Sequence, residues 1–242
     1  MPKLFRRVLL TLAILCVVTW GALALLVAWT AFHASQDEWF FAAFRGDVLC
    51  SAGEPSGTAF PSDMPSYVRA AFVAAETDAV GERFPAAWTM PINVAMGGRL
   101  QRADPFTAGV VRCLLATEGD WRGRTLEWHV KGAVLTVLVD EIVPKELILD
   151  SYLNVVPLGP DIRGIEAASV AYFAKEPADL TVAEAAYLAG LARAPLRFAE
   201  DDKLGLERRN VVLARMRDAG EITPMQYEVA AARPLGRRRG AA

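Results

Sequence analysis

The sequence predicts a mainly α-helical protein with one transmembrane helix near its N-terminus. Three observations support this prediction. No Asp, Glu, Lys or Arg occurs from Val8 to Gln36. Apolar residues recur at helical spacing from Ser66 onward, and two capping boxes, at Thr181 and Thr223, begin later helices. No strand-rich stretch competes with these helices, although residues 45–60 have room for a short hairpin.

The apolar run accounts for the composition of the whole chain. Hydrophobic residues make up 53% of 242 residues, and the mean hydropathy is +0.25, which excludes a disordered chain. Residues 8–32 exceed the roughly 20 apolar residues that span a bilayer. A cleavable signal peptide is the alternative, but its apolar core is usually only about 7–15 residues long. The run therefore favours an uncleaved anchor.

The charges on either side of this run predict its orientation. Residues 1–7 carry three basic residues, whereas acidic Asp37 and Glu38 follow the run. Because basic flanks stay in the cytoplasm, residues 1–7 are predicted to be a cytoplasmic tail and the later domain to be extracytoplasmic. The sequence thus predicts a single-pass protein of the inner (cytoplasmic) membrane.

The charge balance and the cysteines limit the partners and the compartment. The chain has 26 Lys and Arg against 28 Asp and Glu, so the basic footprint of a nucleic-acid binder is missing. We therefore expect no nucleic-acid partner. Of the 3 cysteines, Cys16 falls in the apolar run. Cys50 and Cys113 are either a disulfide in an oxidising compartment or two buried thiols.

Glycine and proline residues divide the rest of the chain into elements. Residues 33–65 are predicted to be a connector, since glycines and prolines interrupt any period. A helix rich in small residues then leads from Ser66 to Glu76. The nearly continuous apolar run over residues 126–143 predicts a helix buried on most sides. Pro144 begins another helix over residues 145–154, and Gly159 and Pro160 end that section.

Capping boxes predict the last helices. Thr181 with Glu184 begins an Ala- and Leu-rich helix, and Thr223 with Gln226 repeats the arrangement around the N1 proline Pro224. Residues 236–242 form a basic tail, which is expected to be solvated or to touch lipid.

Several enzyme classes are excluded by missing motifs. The chain has only two histidines, so an HExxH metal site is absent. It also contains no GxSxG, Walker or GxGxxG motif, and no serine followed three residues later by lysine.

The C-terminal half carries an ordered set of motifs. They are Tyr152-Leu153-Asn154, Gly159, Ile162-Arg163-Gly164, Ala167-Ala168, Tyr172-Phe173-Ala174-Lys175, Leu180-Thr181-Val182-Ala183-Glu184-Ala185-Ala186, Leu188-Ala189-Gly190-Leu191, Ala194-Pro195 and Glu207-Arg208-Arg209-Asn210-Val211-Val212-Leu213. This order resembles the family 51 peptidoglycan glycosyltransferases, which include the monofunctional enzymes and the transglycosylase domain of bifunctional penicillin-binding proteins. The resemblance covers about residues 65–235.

The resemblance implies a lysozyme-like helical glycosyltransferase domain, assigned to residues 66–235, that lies on the membrane. It implies polymerisation of lipid II into β-1,4 glycan strands with inversion at the anomeric carbon, and other cell-wall synthesis proteins as partners. No cofactor is required by the sequence, and a divalent Mg²⁺ or Mn²⁺ ion is compatible with the resemblance.

The resemblance also implies a catalytic base. Glu76 falls on the family's proposed base, which removes the proton from the acceptor hydroxyl. The neighbouring residues depart from the pattern, because Thr77, Val80 and Arg83 stand where the family has Asp, Phe and His. A surface carboxylate on an amphipathic helix is the alternative for Glu76.

The donor-site motifs are degenerate. An ungapped count places the family's Gly-Gly-Ser-Thr-Ile-Thr-Gln-Gln-Leu on residues 106–114, where Arg112 is either a replacement cation for a phosphate or a surface arginine. In the next motif, Lys131 is the retained cation, and Gly132 replaces the second catalytic glutamate. Asp140 is interpreted as structural.

Four residues are predicted to bind substrate through this resemblance: Arg112, Lys131, Asn154 and Arg163. Three functions remain open from the residues alone. The first is a glycosyltransferase that uses Glu76. The second is a catalytically impaired paralogue that binds lipid II or glycan or acts as a scaffold, and the third is a lysozyme-like enzyme that cleaves glycan.

Overall fold

The computed structural model describes residues 64–76, 98, 104–117 and 126–238, together with positions 19–22, 24, 25, 28 and 29. The α-helices in these ranges from residue 64 onward are α1 (Ser66–Glu76), α2 (Pro105–Thr117), α3 (Leu126–Ile142), α4 (Lys145–Val155), α5 (Ile165–Phe173), α6 (Val182–Leu191), α7 (Pro195–Glu200), α8 (Asp202–Asp218) and α9 (Pro224–Ala232). A hairpin of β1 (Pro157–Gly159) and β2 (Ile162–Arg163) precedes α5, and a 3-10 turn (Pro177–Asp179) precedes α6. The prediction of a mainly helical domain is confirmed.

Side-chain caps define where several helices begin. Both predicted capping boxes are confirmed: Thr181 and Glu184 exchange hydrogen bonds at the start of α6, and Thr223 and Gln226 do so at the start of α9. Such bonds satisfy backbone N–H groups that the first helical turn leaves without a partner. The carboxylate of Asp104 plays the same role for α2, where it accepts from the backbone nitrogens of Phe106 (2.9 Å) and Thr107 (3.1 Å).

The hairpin at β1 and β2 was not predicted, because Gly159 and Pro160 were interpreted only as the end of a helical section. The two strands pair antiparallel around a turn in which Asp161 adopts a φ of 54°. A Cβ on Gly159 would lie 2.5 Å from the hydroxyl oxygen of Tyr172. Glycine is therefore required where the hairpin packs against α5.

Helix α6 lies at the centre of a cluster of the described helices. Its residues from Ala185 to Leu191 are all buried, and it packs chiefly against α8 and α1. Small residues make this close approach feasible, since a Cβ on Gly190 would lie 3.0 Å from Cγ of Arg208. A second close approach occurs at Gly205, where a Cβ would lie 2.7 Å from the carbonyl oxygen of Phe198.

A second group of helices contains α2, α3 and α4, in which α2 packs against both of the others. As predicted, α3 is largely buried, with Ala133–Val137 and Val139 inside the protein. Helix α4 also reaches α1 through an ion pair between Nε of Arg69 and Oδ1 of Asp150, at 2.9 Å. The two helix groups therefore meet where α1 faces α4.

The prediction of a solvated or lipid-touching C-terminal tail is wrong for the side chain of Arg237, whereas Arg238 is exposed as predicted. The side chain of Arg237 is only 8% exposed and pairs with Asp202 at 2.6 Å, and the backbone nitrogen of Arg238 donates to the carbonyl of Tyr172 at 2.8 Å. Arg209 is 2% exposed and donates to the carbonyls of Ala231 and Arg233. These contacts hold Arg237 and Arg209 against the domain, because a cation that leaves water needs an acceptor within the protein.

The predicted anchor at residues 8–32 lies largely outside the described residues. The described positions 19–22, 24, 25, 28 and 29 are helical, and the side chains of Trp20 and Trp29 are exposed. Within the part of the chain that the structure describes, no helix is both long enough and apolar enough to span a membrane. The possible hairpin at residues 45–60 and Cys50 also lie outside the described residues.

Candidate active site

Glu76 is the last residue of α1 and is half-buried. The hydroxyl of Tyr152, on α4, donates a hydrogen bond of 3.2 Å to Oε1 of Glu76. Helix α1 carries alanines at positions 70, 71, 74 and 75, so its last turn fits closely against its neighbours. The carboxylate predicted as the base is thus held by a side chain from another helix.

The aromatic ring of Tyr152 is itself tightly enclosed. The residue is 6% exposed, and the ring of Phe106 meets it edge-on with centroids 5.0 Å apart. A Cβ on Gly109 would lie 2.6 Å from Cδ2 of Tyr152, which is closer than any real contact. The ring therefore occupies space that exists only because residue 109 has no side chain.

Two arginines of α8 bind the end of α1 from another side. Nη2 of Arg208 donates to the carbonyl of Ala75 at 2.9 Å, and Nη1 of Arg215 donates to the carbonyl of Ala74 at 3.2 Å. The last carbonyls of a helix have no partner within the helix, and cations are favourable there. These arginines therefore cap α1 and place positive charge beside the turn that carries Glu76.

A polar cluster lies at the other end of α1. The hydroxyl of Tyr67 donates to the carbonyl of Leu180 at 2.5 Å, and Lys175 pairs with Glu184 at 2.8 Å. Burial raises the pKa of Tyr67. Burial alone would also raise the pKa of Glu184, but hydrogen bonds from Lys175 and Thr181 hold it below its ordinary value. This cluster secures the start of α6 against α1.

The residues predicted to bind substrate are distributed over several elements. Arg112 is exposed on α2, and its Nε donates to the carbonyl of Ala108 in its own helix at 3.3 Å. Lys131 is half-buried on α3. Asn154 lies near the end of α4 and Arg163 on β2. A Cβ on Gly164, the residue after Arg163, would lie 2.5 Å from the backbone oxygen of Asn154.

Gly132, which the resemblance matches to the family's second catalytic glutamate, is closely packed. A Cβ on Gly132 would lie 3.3 Å from Cδ1 of Leu115 on α2, which is tighter than an ordinary contact. Asp140, on the same helix, accepts from Thr107 at 2.8 Å and pairs with Lys145. This agrees with the structural role predicted for Asp140, which joins α3 to α2 and α4.

The described residues around Glu76 do not fit a divalent metal. Among the residues that the structure describes, no three or more His, Cys, Asp or Glu side chains group closely enough to hold an ion. The groups described near Glu76 include the phenol of Tyr152 and the arginines that cap α1. Hard cations such as Mg²⁺ instead require several oxygen ligands.

Cys113 is disulfide-bonded. The chain has 3 cysteines, so its partner is either Cys16 or Cys50, both outside the described residues. Of the two alternatives left open by the sequence, a free thiol at Cys113 is therefore wrong. Cys113 lies four residues after Gly109, so the disulfide tethers the turn of α2 that follows the one against Tyr152.

Sequence reasoning assigned no site role to Tyr152, Arg208 or Arg215. Tyr152 and Arg208 were part of the motifs that carried the family resemblance, and only their contacts reveal what they do. Arg208 and Arg215 are seven residues apart, so they lie on one face of α8. The seven-residue spacing predicts a shared face of α8 but does not indicate that this face contacts the end of α1.

The chain is similar to known proteins over most of its length. The family model for Transglycosylase matches residues 52–217. The penicillin-binding protein 1A of Aquifex aeolicus is 36% identical over 179 residues, covering 71% of this chain and 24% of that protein. The penicillin-binding protein 1A of Haemophilus influenzae is 31% identical over 248 residues, covering 96% of this chain and 27% of that protein.

A crystal structure of penicillin-binding protein 1A from Haemophilus influenzae is 40% identical, covers 39% of this chain and 14% of that chain, and superposes with a TM-score of 0.38. The chain spans about a quarter of the length of the curated relatives described above. Because the family model matches well over half of its residues, the chain belongs to the transglycosylase family.

Proposed function

We propose that the protein is a membrane-anchored peptidoglycan glycosyltransferase that polymerises lipid II into β-1,4 glycan strands in cell-wall synthesis, with Glu76 as its general base. The observation that carries this proposal is the position of Glu76. It is a half-buried carboxylate at a helix end, oriented by Tyr152, in a chain of the transglycosylase family. A base needs this combination of a fixed direction and partial access.

In the proposed reaction, the carboxylate of Glu76 accepts the proton of the acceptor's 4-hydroxyl. The acceptor oxygen forms a bond to the anomeric carbon of the growing strand, and the bond from that carbon to the lipid pyrophosphate breaks with inversion. The pyrophosphate leaves with the bonding electrons and needs positive charge nearby. Arg112, Lys131, Asn154 and Arg163 are proposed to contact these substrates.

The proposal places residues 1–7 in the cytoplasm, residues 8–32 in the inner membrane, and residues 66–235 outside as the catalytic domain, joined by a connector. The disulfide at Cys113 supports this topology, because disulfides persist in oxidising, extracytoplasmic compartments. Nascent glycan strands and other cell-wall synthesis proteins are the proposed partners.

The packing at Gly132 favours a second function, in which the protein is a catalytically impaired paralogue that binds lipid II or glycan as a scaffold. Leu115 occupies the neighbourhood where family members carry a second catalytic carboxylate. Arg112 is exposed and bonded to its own helix. Losing one charge-stabilising group costs about 10²–10³ in rate, so several losses together would abolish ordinary activity.

A polymerisation assay separates the two functions. The full-length protein in detergent is incubated with fluorescent lipid II beside an active family member, and glycan products are resolved on gels. We expect polymer from the wild type and none from Glu76→Gln, with Glu200→Gln, an exposed carboxylate on α7, as the matched control.

Absence of polymer from the wild type, while the reference enzyme is active, would reject the glycosyltransferase and leave the scaffold. Wild-type rates in Glu76→Gln would instead reject Glu76 as the base. Soluble muropeptides released from purified sacculi would indicate the glycan-cleaving alternative.

A further inference from the structure

The neighbours of Tyr152 come from positions where this chain departs from its family pattern. Phe106 and Gly109 stand where the ungapped count places a glycine and a threonine. Phe106 adds a ring that packs edge-on against Tyr152 at 5.0 Å. Gly109 removes a side chain whose Cβ alone would lie 2.6 Å from Cδ2 of that ring. Both changes therefore affect the same tyrosine.

The close packing around the ring of Tyr152 fixes the direction in which its hydroxyl points. Tyr152 is 6% exposed and its ring contacts α2 on the side of Phe106 and Gly109, so the ring has little freedom to rotate or withdraw. Its hydroxyl lies 3.2 Å from Oε1 of Glu76 and donates a hydrogen bond to it. A hydrogen bond to an ionised acceptor is stronger than one between neutral groups.

The backbone that carries Glu76 is fixed independently. Arg208 and Arg215 bind the carbonyls of Ala75 and Ala74, immediately before Glu76 in the chain. These contacts hold the last turn of α1 but leave rotation about the side-chain bonds of Glu76. The hydroxyl of Tyr152 adds a constraint on the carboxylate itself.

We infer that Tyr152 is a positioning residue for Glu76, and that Phe106 and Gly109 form the packing site of its ring. This packing site directs the hydroxyl of Tyr152 toward the carboxylate of Glu76. This inference rests on the proposed function of Glu76 as the base. It assigns a role to Phe106 and Gly109, two departures in a segment where Thr107 and Arg112 keep polar side chains. Tyr152 acts through Glu76 and does not itself transfer the acceptor proton.

The decisive variant is Tyr152→Phe, which removes one oxygen and keeps the ring against Phe106. Because misplacing a reacting group by about 1 Å can cost about 10²-fold, we expect kcat to fall between about 10-fold and 100-fold. KM should stay within about 2-fold, since the substrate contacts are unchanged. Tyr67→Phe is the matched control, because it removes a tyrosine hydrogen bond at the other end of α1.

A spectroscopic measurement tests the contact without requiring turnover. Isotope-edited infrared spectra of the protein with labelled glutamate, compared with Glu76→Gln, identify the carboxylate band of Glu76. We expect this band to shift in Tyr152→Phe and to stay in place in Tyr67→Phe. An unshifted band in Tyr152→Phe would overturn the inference.

The packing of Gly109 against the ring of Tyr152 is tested by Gly109→Thr, which introduces the residue of the family pattern. We expect a loss of kcat like that of Tyr152→Phe, and no further loss in the double variant, because both changes remove the same hydrogen bond. Losses that multiply in the double variant would show that Gly109 acts by another route.

The failure of the inference is distinguishable from the failure of the proposed function. Wild-type polymerisation that depends on Glu76 but keeps its kcat in Tyr152→Phe would overturn the positioning role and leave the function intact. An inactive wild type would reject the function. The infrared band would then still decide whether Tyr152 orients Glu76.

Discussion

Arg208 donates a hydrogen bond of 2.9 Å from its Nη2 to the carbonyl of Ala75, a residue 133 positions earlier in the chain. Arg215, on the same face of α8, donates to the carbonyl of Ala74. The stem of Arg208 runs along α6, where a Cβ on Gly190 would lie 3.0 Å from its Cγ. Helix α8 therefore binds the end of α1 that carries Glu76. The absence of a side chain at Gly190 of α6 gives the stem of Arg208 room to pass.

Removing either of these arginines should destabilise the last turn of α1. Arg208→Ala or Arg215→Ala removes a charged hydrogen-bond donor from the carbonyls at the end of α1. Each substitution is therefore expected to lower the free energy of unfolding by about 1–3 kcal/mol. Urea denaturation followed by circular dichroism measures this change. Arg112→Ala, an exposed arginine bonded within its own helix, should change stability by no more than about 0.5 kcal/mol. Equal effects in all three variants would contradict the capping role.

Introducing a glutamate at position 132, where the family resemblance predicts a second catalytic carboxylate, should not raise the polymerisation rate. Gly132→Glu must place a side chain against Leu115, whose Cδ1 would lie 3.3 Å from the new Cβ. We expect the free energy of unfolding to fall by about 1–3 kcal/mol through overpacking, without a gain in polymerisation. Gly132→Ala is the control that adds only the Cβ, and thermal melts with lipid II assays compare the two. A faster enzyme of unchanged stability would contradict the packing argument.

The Lys175–Glu184 pair should make stability depend on pH in the acidic range. The pKa of Glu184 is lowered from 4.5 in the folded state, so its contribution is present above that value and is lost as the pH falls through the lowered pKa. The free energy of unfolding of the wild type should therefore fall more between about pH 6 and acidic pH than that of Glu184→Gln. Parallel pH curves for the two proteins, measured by urea denaturation, would argue against this assignment.

The disulfide at Cys113 should stabilise the domain. Reduction, or Cys113→Ser, is expected to cost about 2–4 kcal/mol of unfolding free energy, chiefly because the unfolded chain gains freedom. Peptide mapping of the non-reduced protein by mass spectrometry identifies the partner, which we expect to be Cys50 because Cys16 falls in the predicted membrane span. Cys16→Ser is the matched control. A free Cys113 thiol in protein purified from membranes would contradict both the disulfide and the proposed oxidising compartment.

Local signals in the sequence were sufficient for most of the helices. These signals act within a few residues, so a short stretch of sequence is enough to specify each helix. They are the capping boxes at Thr181 and Thr223, the N1 proline Pro224 and the apolar run at α3. The β1–β2 hairpin was missed because its strands are short. The contact of Arg237 in the C-terminal tail was not predicted, since it requires Asp202 from another part of the chain.

The sequence by itself determined the helical class, the family and the candidate base, because these depend on local periodicity, caps and ordered motifs. Only the tertiary structure decided what surrounds Glu76. Tyr152 lies 76 residues from it along the chain, and Arg208 lies 133 residues from the carbonyl it caps. No local pattern encodes such contacts, since they arise when whole helices pack. The room for Tyr152 beside Gly109, and the lack of room beside Gly132, likewise exist only between packed helices.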